Sequence, residues 1–158
     1  MKKIITSLAF MLLGALLMGL FIFKIAPSMM VHEFKSPYGV DETVKLISEN
    51  SVKQGWKVKK VSDMQKSMKK ALGKDILPTK VMKLGQAKYA HTLISKDETH
   101  FVAAMMPHSV AVYEKSDGNT YISSFNMGLM GKIFGGETER IMGLVQSDDD
   151  VILDFAMH

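Results

Sequence analysis

Residues 4–23 form an apolar block without a single charge, IITSLAFMLLGALLMGLFIF. A helix rises 1.5 Å per residue, so twenty residues cover roughly 30 Å, the thickness of the hydrocarbon core of a bilayer. The block therefore predicts one membrane-spanning helix or a signal peptide. The rest of the 158-residue chain has room for one domain.

An uncleaved anchor fits this block better than a cleaved signal, which remains the alternative. A signal peptide has an apolar core of about 7 to 15 residues and a small-x-small cleavage site. Here the core is longer, and KIAPSM at residues 24–29 has no such site. We predict an anchor at residues 1–27 and a domain at residues 28–158, with Pro27 and Ser28 breaking the helix and leaving almost no linker.

The lysines around the block predict its orientation. Lys2 and Lys3 precede it and Lys24 follows, so the positive-inside bias places the N-terminus in the cytoplasm. We predict a single-pass protein of a bacterial cytoplasmic membrane with its C-terminal domain on the extracytoplasmic, periplasmic side. Without these three lysines the chain has 17 basic and 16 acidic residues, so a nucleic-acid partner has no support.

The domain alternates strand-like and helix-like patterns. In chain order we predict a strand at 29–35, a helix capped by Asp41 and ended near Gly55, a strand from Trp56, a helix opening at Ser62-Asp63-Met64-Gln65, a strand at 79–85 and a helix at 86–94. Strand segments follow at 101–106 and 109–114. The turn Ser116-Asp117-Gly118-Asn119 predicts a hairpin with TYISSF. The methionines of the second helix are expected in the core.

The chain after the hairpin leaves two interpretations open. Residues 127–136 combine apolar residues with four glycines, each of which costs a helix about 1 kcal/mol. One interpretation is a loop before a helix that begins near Glu137. The other is a close backbone contact, either with a second subunit or with the membrane surface. We expect the acidic run 148–150 to be a solvated loop and N-cap.

Several of these segments, taken together, resemble domain-of-unknown-function family 302. They are Asp41-Glu-Thr-Val44, Gly55-Trp56-Lys57-Val58, Leu77-Pro-Thr-Lys-Val81, Gly85-Gln86-Ala87-Lys88 and the run from Met106-Pro107 to Glu114. The resemblance covers roughly residues 30–124, and residues 125–136 are similar to one subset of members.

The resemblance implies an α+β, two-layer sandwich of the TATA-box-binding-protein-like kind. The order that the resemblance implies is β-α-β(4)-α with an extra helix, and the patterns above agree with it: we predict an antiparallel sheet with helices on one face in the order β-α-β-α-β-α-β-β-α, after the single transmembrane helix. The resemblance also implies a homodimer and assigns no biochemical function. Many relatives are expected to carry Cys-Arg where this chain has His108-Ser109, which argues against a thiol-based role.

Catalysis has no signal in the sequence. Nucleophile elbow, phosphate loop, HExxH and dinucleotide motifs are missing, and the absence of cysteine excludes disulfides, thiolate zinc, thiol redox chemistry and covalent c-type haem. We therefore expect no enzyme activity. An accessory or binding domain that acts through dimerisation, or by docking on a membrane complex, fits best.

Met105, Met106 and His108 are the candidate metal ligands. Thioether sulfur and imidazole together suit copper(I) or haem iron. The alternative is an ordinary edge-strand histidine beside packed methionines. The glycine-rich segment supplies a candidate surface for a partner or the membrane, at Met127, Leu129, Met130 and Phe134.

Overall fold

A long helix, α1, covers Lys2–Met30 and leads directly into the first strand. The computed structural model describes residues 2–157 and the side chains from Phe10 onward, so the side chains of Lys2 and Lys3 lie outside the described part. From Phe10 to Met30 the helix is apolar, unburied and long enough to cross a membrane. A signal sequence near an N-terminus shares these properties.

The prediction that Pro27 and Ser28 break this helix is wrong, because α1 continues through both residues to Met30. Pro27 lies in the last turn, where it lacks the N–H that would donate to the carbonyl of Phe23, so it removes one helical hydrogen bond without ending the helix. The Ser28 hydroxyl adds a hydrogen bond to the Ile25 carbonyl at 2.8 Å. Strand β1 begins at Val31, so no linker separates α1 from the sheet.

Five antiparallel strands form one sheet in the order β1-β5-β4-β3-β2. They are β1 (Val31–Lys35), β2 (Lys57–Asp63), β3 (Thr79–Gly85), β4 (His108–Glu114) and β5 (Thr120–Phe125). The Lys115 N–H donates to the Asn119 carbonyl at 3.0 Å, and Gly118 adopts a φ of +75°, which glycine tolerates best. The predicted hairpin and the α+β class are confirmed.

Five further helices accompany the sheet: α2 (Val40–Lys53), α3 (Met64–Leu72), α4 (Ala87–Ile94), α5 (Met127–Phe134) and α6 (Gly136–Ile152). Helix α2 packs on β2, β3 and β4, and α6 packs against α2 and α4. The residues between them are almost fully buried: Ile47, Met82, Leu84, Val110, Val112, Ile122, Met142 and Ile152. We call this the covered face of the sheet and its opposite the open face.

Residues 101–106 are not a strand as predicted. A 3-10 helix spans His100–Met105, and within it Val102 alone is buried. A strand in this place would bury alternate side chains, whereas Ala103 and Ala104 are both exposed and favour helical backbone. A second short 3-10 helix covers Asp154–Ala156.

The N-caps of two helices differ from the prediction. Gly39, not Asp41, caps α2, so Asp41 lies in the first turn, where its charge still suits the helix dipole. A capping box over Ser62-Asp63-Met64-Gln65 predicts Ser62 as the N-cap, but Asp63 caps α3, because its carboxylate accepts the Lys66 N–H at 2.9 Å.

The expectation that the methionines of α3 belong to the core is also wrong. Met64 and Met68 are half-buried, and Leu72 is 65% exposed. Helix α3 packs mainly on β3, next to the edge strand β2, and none of the residues Met64–Leu72 is fully buried. The amphipathic pattern predicts this helix correctly, but it does not specify what the apolar side packs against.

The glycine-rich segment folds as α5, which packs closely on α6. A Cβ at Gly131 would lie 3.0 Å from the Met142 Cβ and 3.1 Å from the Glu139 Cα. The interpretation of this segment as a loop is wrong, because Met127–Phe134 is helical. The glycines do allow a close backbone approach, but to α6 of the same chain, and a contact with a second subunit or the membrane stays a prediction. Helix α6 begins at Gly136, one residue before the predicted start near Glu137.

Candidate functional site

A cavity of about 660 Å³ opens at one end of the sheet. The strand register brings the surrounding segments together, because Lys57 at the start of β2 pairs with Gly85 and Leu84 pairs with His108 at the start of β4. Helices α4, α5 and α6 close the other sides. Its volume lies within the roughly 300 to 1,000 Å³ of small-molecule sites.

The walls of the cavity are mainly apolar. Helix α4 contributes Ala90 and Leu93, α5 contributes Met127, and α6 contributes Ile141, Met142 and Val145. Apolar walls favour a ligand that buries hydrocarbon, since each Å² removed from water stabilises the complex by about 25 cal/mol before the costs of binding.

One carboxylate holds two aromatic residues of the cavity wall in place. Asp148 Oδ2 accepts the indole N–H of Trp56 at 2.9 Å and the hydroxyl of Tyr89 at 3.0 Å. The two rings meet edge to face, with centroids 5.9 Å apart. Burial raises the pKa of Tyr89, and its bond to Asp148 raises that pKa further, so Tyr89 stays a neutral donor at ordinary pH.

A buried histidine and aspartate lie beside these aromatics. His108 Nε2 is 2.8 Å from Asp149 Oδ2, and their side chains are only 5% and 2% exposed. The two atoms are at ion-pair distance but are not aligned as a hydrogen bond. Within the described part of the chain the other ring nitrogen, Nδ1, has no partner, and the ring lines the cavity 6.0 Å from that of Trp56.

Asp148 and Asp149 belong to the last turn of α6, and the expectation that they form a solvated loop and N-cap is wrong. Carboxylates are unfavourable at a helix C-terminus because the dipole is negative there. The side chains opposite them, Trp56 and Tyr89 for Asp148 and His108 for Asp149, compensate for this. The third acid, Asp150, is exposed and accepts a hydrogen bond from Gln146.

A sequence signal for Asp149 did exist. On α6 the buried residues Met142, Val145, Asp149 and Ile152 follow each other at helical spacing. A lone acid in such an apolar stripe is expected to be buried, and a buried acid needs a partner.

The structure separates the three candidate metal ligands. His108 and Met106 line the cavity, next to the cis Met106–Pro107 bond, and Met127 lines it from α5. Met105 packs on the core and is not part of the cavity wall. Among the described residues no three His, Cys, Asp or Glu side chains form a metal-binding cluster. Copper or haem binding stays a prediction.

The four candidate residues for contact with a partner or the membrane also lie in different environments. Met127 is 7% exposed and faces the cavity, Leu129 is half-buried, and Met130 packs on the core. Phe134 is 39% exposed and lies 5.4 Å from the ring of Phe101, which is 55% exposed. The exposed apolar side chains here are therefore these two phenylalanines and Ile133, which is 62% exposed.

Comparisons with known proteins address the family and the fold. The family described as "Domain of unknown function DUF302" matches residues 32–148. A comparison with curated proteins gives no match. Among solved structures, the crystal structure of an uncharacterized conserved DUF302 protein from Bacillus stearothermophilus is similar, with a TM-score of 0.71 and 18% identity over 81% of this chain and 98% of that one.

At that identity the likeness shows the fold, while the family match covers most of this chain. The resemblance drawn from sequence segments is thus confirmed. The chain belongs to the DUF302 family, as a member whose DUF302 domain follows an apolar N-terminal helix.

Proposed function

We propose that this chain is a membrane-anchored, extracytoplasmic binding domain that takes an apolar small molecule into its cavity and carries out no catalysis itself. The observation that supports this most is the cavity of about 660 Å³ with its apolar walls and the free His108 Nδ1. Pockets of this kind combine a large apolar area with few polar groups that orient the ligand.

The apolar stretch of α1 supports the anchor. It is long and apolar enough to cross a bilayer, and the chain passes from Met30 to Val31 without a linker. A domain attached in this way stays at the membrane surface, where apolar molecules are concentrated.

Trp56, the single tryptophan of the chain, provides the test because it lines the cavity. Bromine quenches indole emission on contact. We would titrate the full chain in phosphatidylcholine nanodiscs with two probes of equal chain length, ω-bromododecanol and ω-bromododecanoate. Saturable quenching by at least one of them is expected.

The matched variants are Ala90→Phe, which places a bulky ring in the cavity, and Ala71→Phe, which adds the same ring on the exposed side of α3. Ala90→Phe should abolish the saturable quenching and Ala71→Phe should leave it unchanged. Quenching that is equal in all three proteins would come from probe dissolved in the bilayer and would refute the proposed binding site.

A soft metal is the second candidate ligand, supported by the meeting of Met106, Met127 and His108 in one cavity. In metal sites, a carboxylate beside one imidazole nitrogen commonly orients the second nitrogen toward the metal. Here Asp149 lies beside Nε2 of His108, so Nδ1 is the nitrogen that would bind the metal. Titration with copper(I), or with haem, should then show stoichiometric binding that is lost in His108→Ala and kept in His91→Ala, where the histidine is exposed. Absence of binding to the intact chain would exclude this candidate.

The partner we propose, a second copy or a membrane complex, would contact Phe134 and Phe101. Large exposed aromatics are unusual on a surface that stays in water. A photo-crosslinking residue at Phe134 should give one defined product in membranes, while the same residue at Leu72 on α3, which is 65% exposed against 39% for Phe134, serves as the control. Identical labelling patterns from both positions would refute a specific contact.

A further inference from the structure

Two lysines lie at the mouth of the cavity. Lys57 and Lys59 are exposed on β2 and both contribute to the cavity lining. The register between β2 and β3 shifts between Val58 and Lys60, so Lys59 is the extra residue of a bulge. A Cβ at Gly85 would lie 2.9 Å from the Lys59 Cε, so the lysine stem extends over this glycine beside the opening.

Neither lysine has a counter-ion among the residues whose side chains the structure describes. Within residues 10–157 no ion pair or hydrogen bond involves the amine of Lys57 or Lys59, whereas Lys80 and Lys115 each bind a carboxylate. Two unpaired ammonium groups beside an apolar cavity form a positive rim around an apolar interior. The two ammonium groups would attract an anion at this rim, and a hydrocarbon chain attached to the anion would be buried in the apolar interior.

The strand register places the mouth on the side of the sheet where α1 enters. Val31, the first residue of β1, pairs with Phe125 at the end of β5. The same end of the sheet carries the start of β4, the end of β3 and the start of β2, at His108, Gly85 and Lys57. Four strand spacings, about 19 Å, separate β1 from β2. With α1 in a bilayer, the mouth lies on the bilayer side of the domain.

We propose that the cavity binds one apolar chain of an amphiphile that has an anionic carboxylate or phosphate head. The chain lies among Leu93, Met127 and Val145, and the head lies between Lys57 and Lys59. This inference rests on the proposed function, because it names the ligand class of the same cavity. Such a ligand reaches the site from the membrane surface, either as a free fatty acid or as a phospholipid.

The test compares a charged and a neutral probe with the same chain. In the nanodisc titration, ω-bromododecanoate should bind more tightly than ω-bromododecanol. In Lys57→Gln/Lys59→Gln the affinity for the carboxylate probe should fall about fivefold, since exposed charges contribute modestly, and the affinity for the alcohol should not change.

The control is Lys70→Gln/Lys74→Gln, which removes two exposed lysines that are also unpaired in the described structure. It changes net charge equally and should leave both affinities within twofold of the original. Equal affinities for acid and alcohol, or equal weakening of both by the Lys57/Lys59 change, would overturn the anionic head while leaving an apolar binding site. Failure of both probes to give cavity-dependent quenching would instead refute the proposed function.

Nanodiscs that contain phosphatidic acid separate the two sources of the ligand. Displacement of ω-bromododecanoate by this lipid assigns the site to a phospholipid of the bilayer. If added dodecanoate displaces the probe and phosphatidic acid does not, the site takes a free fatty acid. Displacement by neither would overturn the proposal.

Discussion

The two faces of the sheet carry similar chemical groups in opposite environments. On the open face, Glu33 accepts hydrogen bonds from Tyr113 and from Lys115, the latter at 2.6 Å, and both members of this ion pair are 41% exposed. On the covered face, His108 and Asp149 form a pair that is almost fully buried. Both faces thus hold an acid next to a nitrogen base.

The difference in exposure to solvent changes what each pair contributes to the stability of the fold. An exposed ion pair contributes about 0 to 1 kcal/mol to stability, because water screens it. A buried pair loses its hydration, and well-packed apolar residues in its place are often as stable or more stable. The chain therefore gains little stability from having His108 and Asp149 in the cavity wall, which fits a role in binding.

Removing one member of the buried pair should have the largest effect. In Asp149→Ala the imidazole is left beside an empty space without its carboxylate, and the free energy of unfolding should fall by about 3 kcal/mol. Urea unfolding of the full chain in micelles, followed by Trp56 emission, measures this.

The double variant His108→Leu/Asp149→Leu is the matched control. With both polar groups gone, most of the lost stability should return, while any ligand that needs His108 should no longer bind. A double variant as unstable as Asp149→Ala would show that shape, rather than unpaired polarity, decides stability at this site.

Gly131→Ala tests how closely the helices of the covered face pack. The added methyl group would meet Met142 and the backbone of Glu139, so the free energy of unfolding should fall by about 1 to 3 kcal/mol. Gly143→Ala on α6 meets nothing within 4 Å and should raise that free energy by up to about 1 kcal/mol. Equal effects at both positions would contradict the close approach of α5 and α6.

A substitution on the open face should have the smallest effect on the free energy of unfolding, and that effect should depend on pH. Hydrogen bonds from Lys115 and Tyr113 hold the pKa of Glu33 below its usual value of 4.5. Since the pKa is lower in the folded state, this stabilisation is present above about pH 4.5 and is lost as the pH falls through the folded pKa. Because the pair is exposed, the loss should stay below about 1 kcal/mol.

Glu33→Gln should remove this acid-dependent part of the unfolding free energy, measured between neutral pH and pH 3 to 5. Glu42→Gln, an exposed acid in the first turn of α2, serves as the comparison. An unchanged acid slope in Glu33→Gln would show that the open-face network does not stabilise the folded state.

Much of the fold could be predicted because local patterns specify it. The helix at Ala87–Ile94 follows from its apolar spacing, and the hairpin follows from Asp117-Gly118 between two alternating runs. Local patterns do not specify which other element each helix or strand packs against. The apolar side of α3 was therefore expected in the core, although Leu72 is exposed at the edge of the sheet.

The candidate site was predictable in part for the same reason. His108 and Met106 were identified from their chemistry, whereas Asp149 lies 41 positions further along the chain and becomes their neighbour only when α6 packs on the sheet. The open mouth and its two unpaired lysines depend on the bulge in β2, for which no turn residue gives a signal.

Asn126 ties the end of α1 to the rest of the domain. Its backbone N–H donates to the Met30 carbonyl at 2.9 Å, its amide donates to the Met29 carbonyl at 3.0 Å, and its side-chain oxygen accepts the Leu129 N–H at 2.9 Å. The end of α1 is therefore held to the sheet both by the chain and by two hydrogen bonds from Asn126. With α1 in a bilayer, the tilt of this helix is then coupled to the orientation of the sheet relative to the membrane.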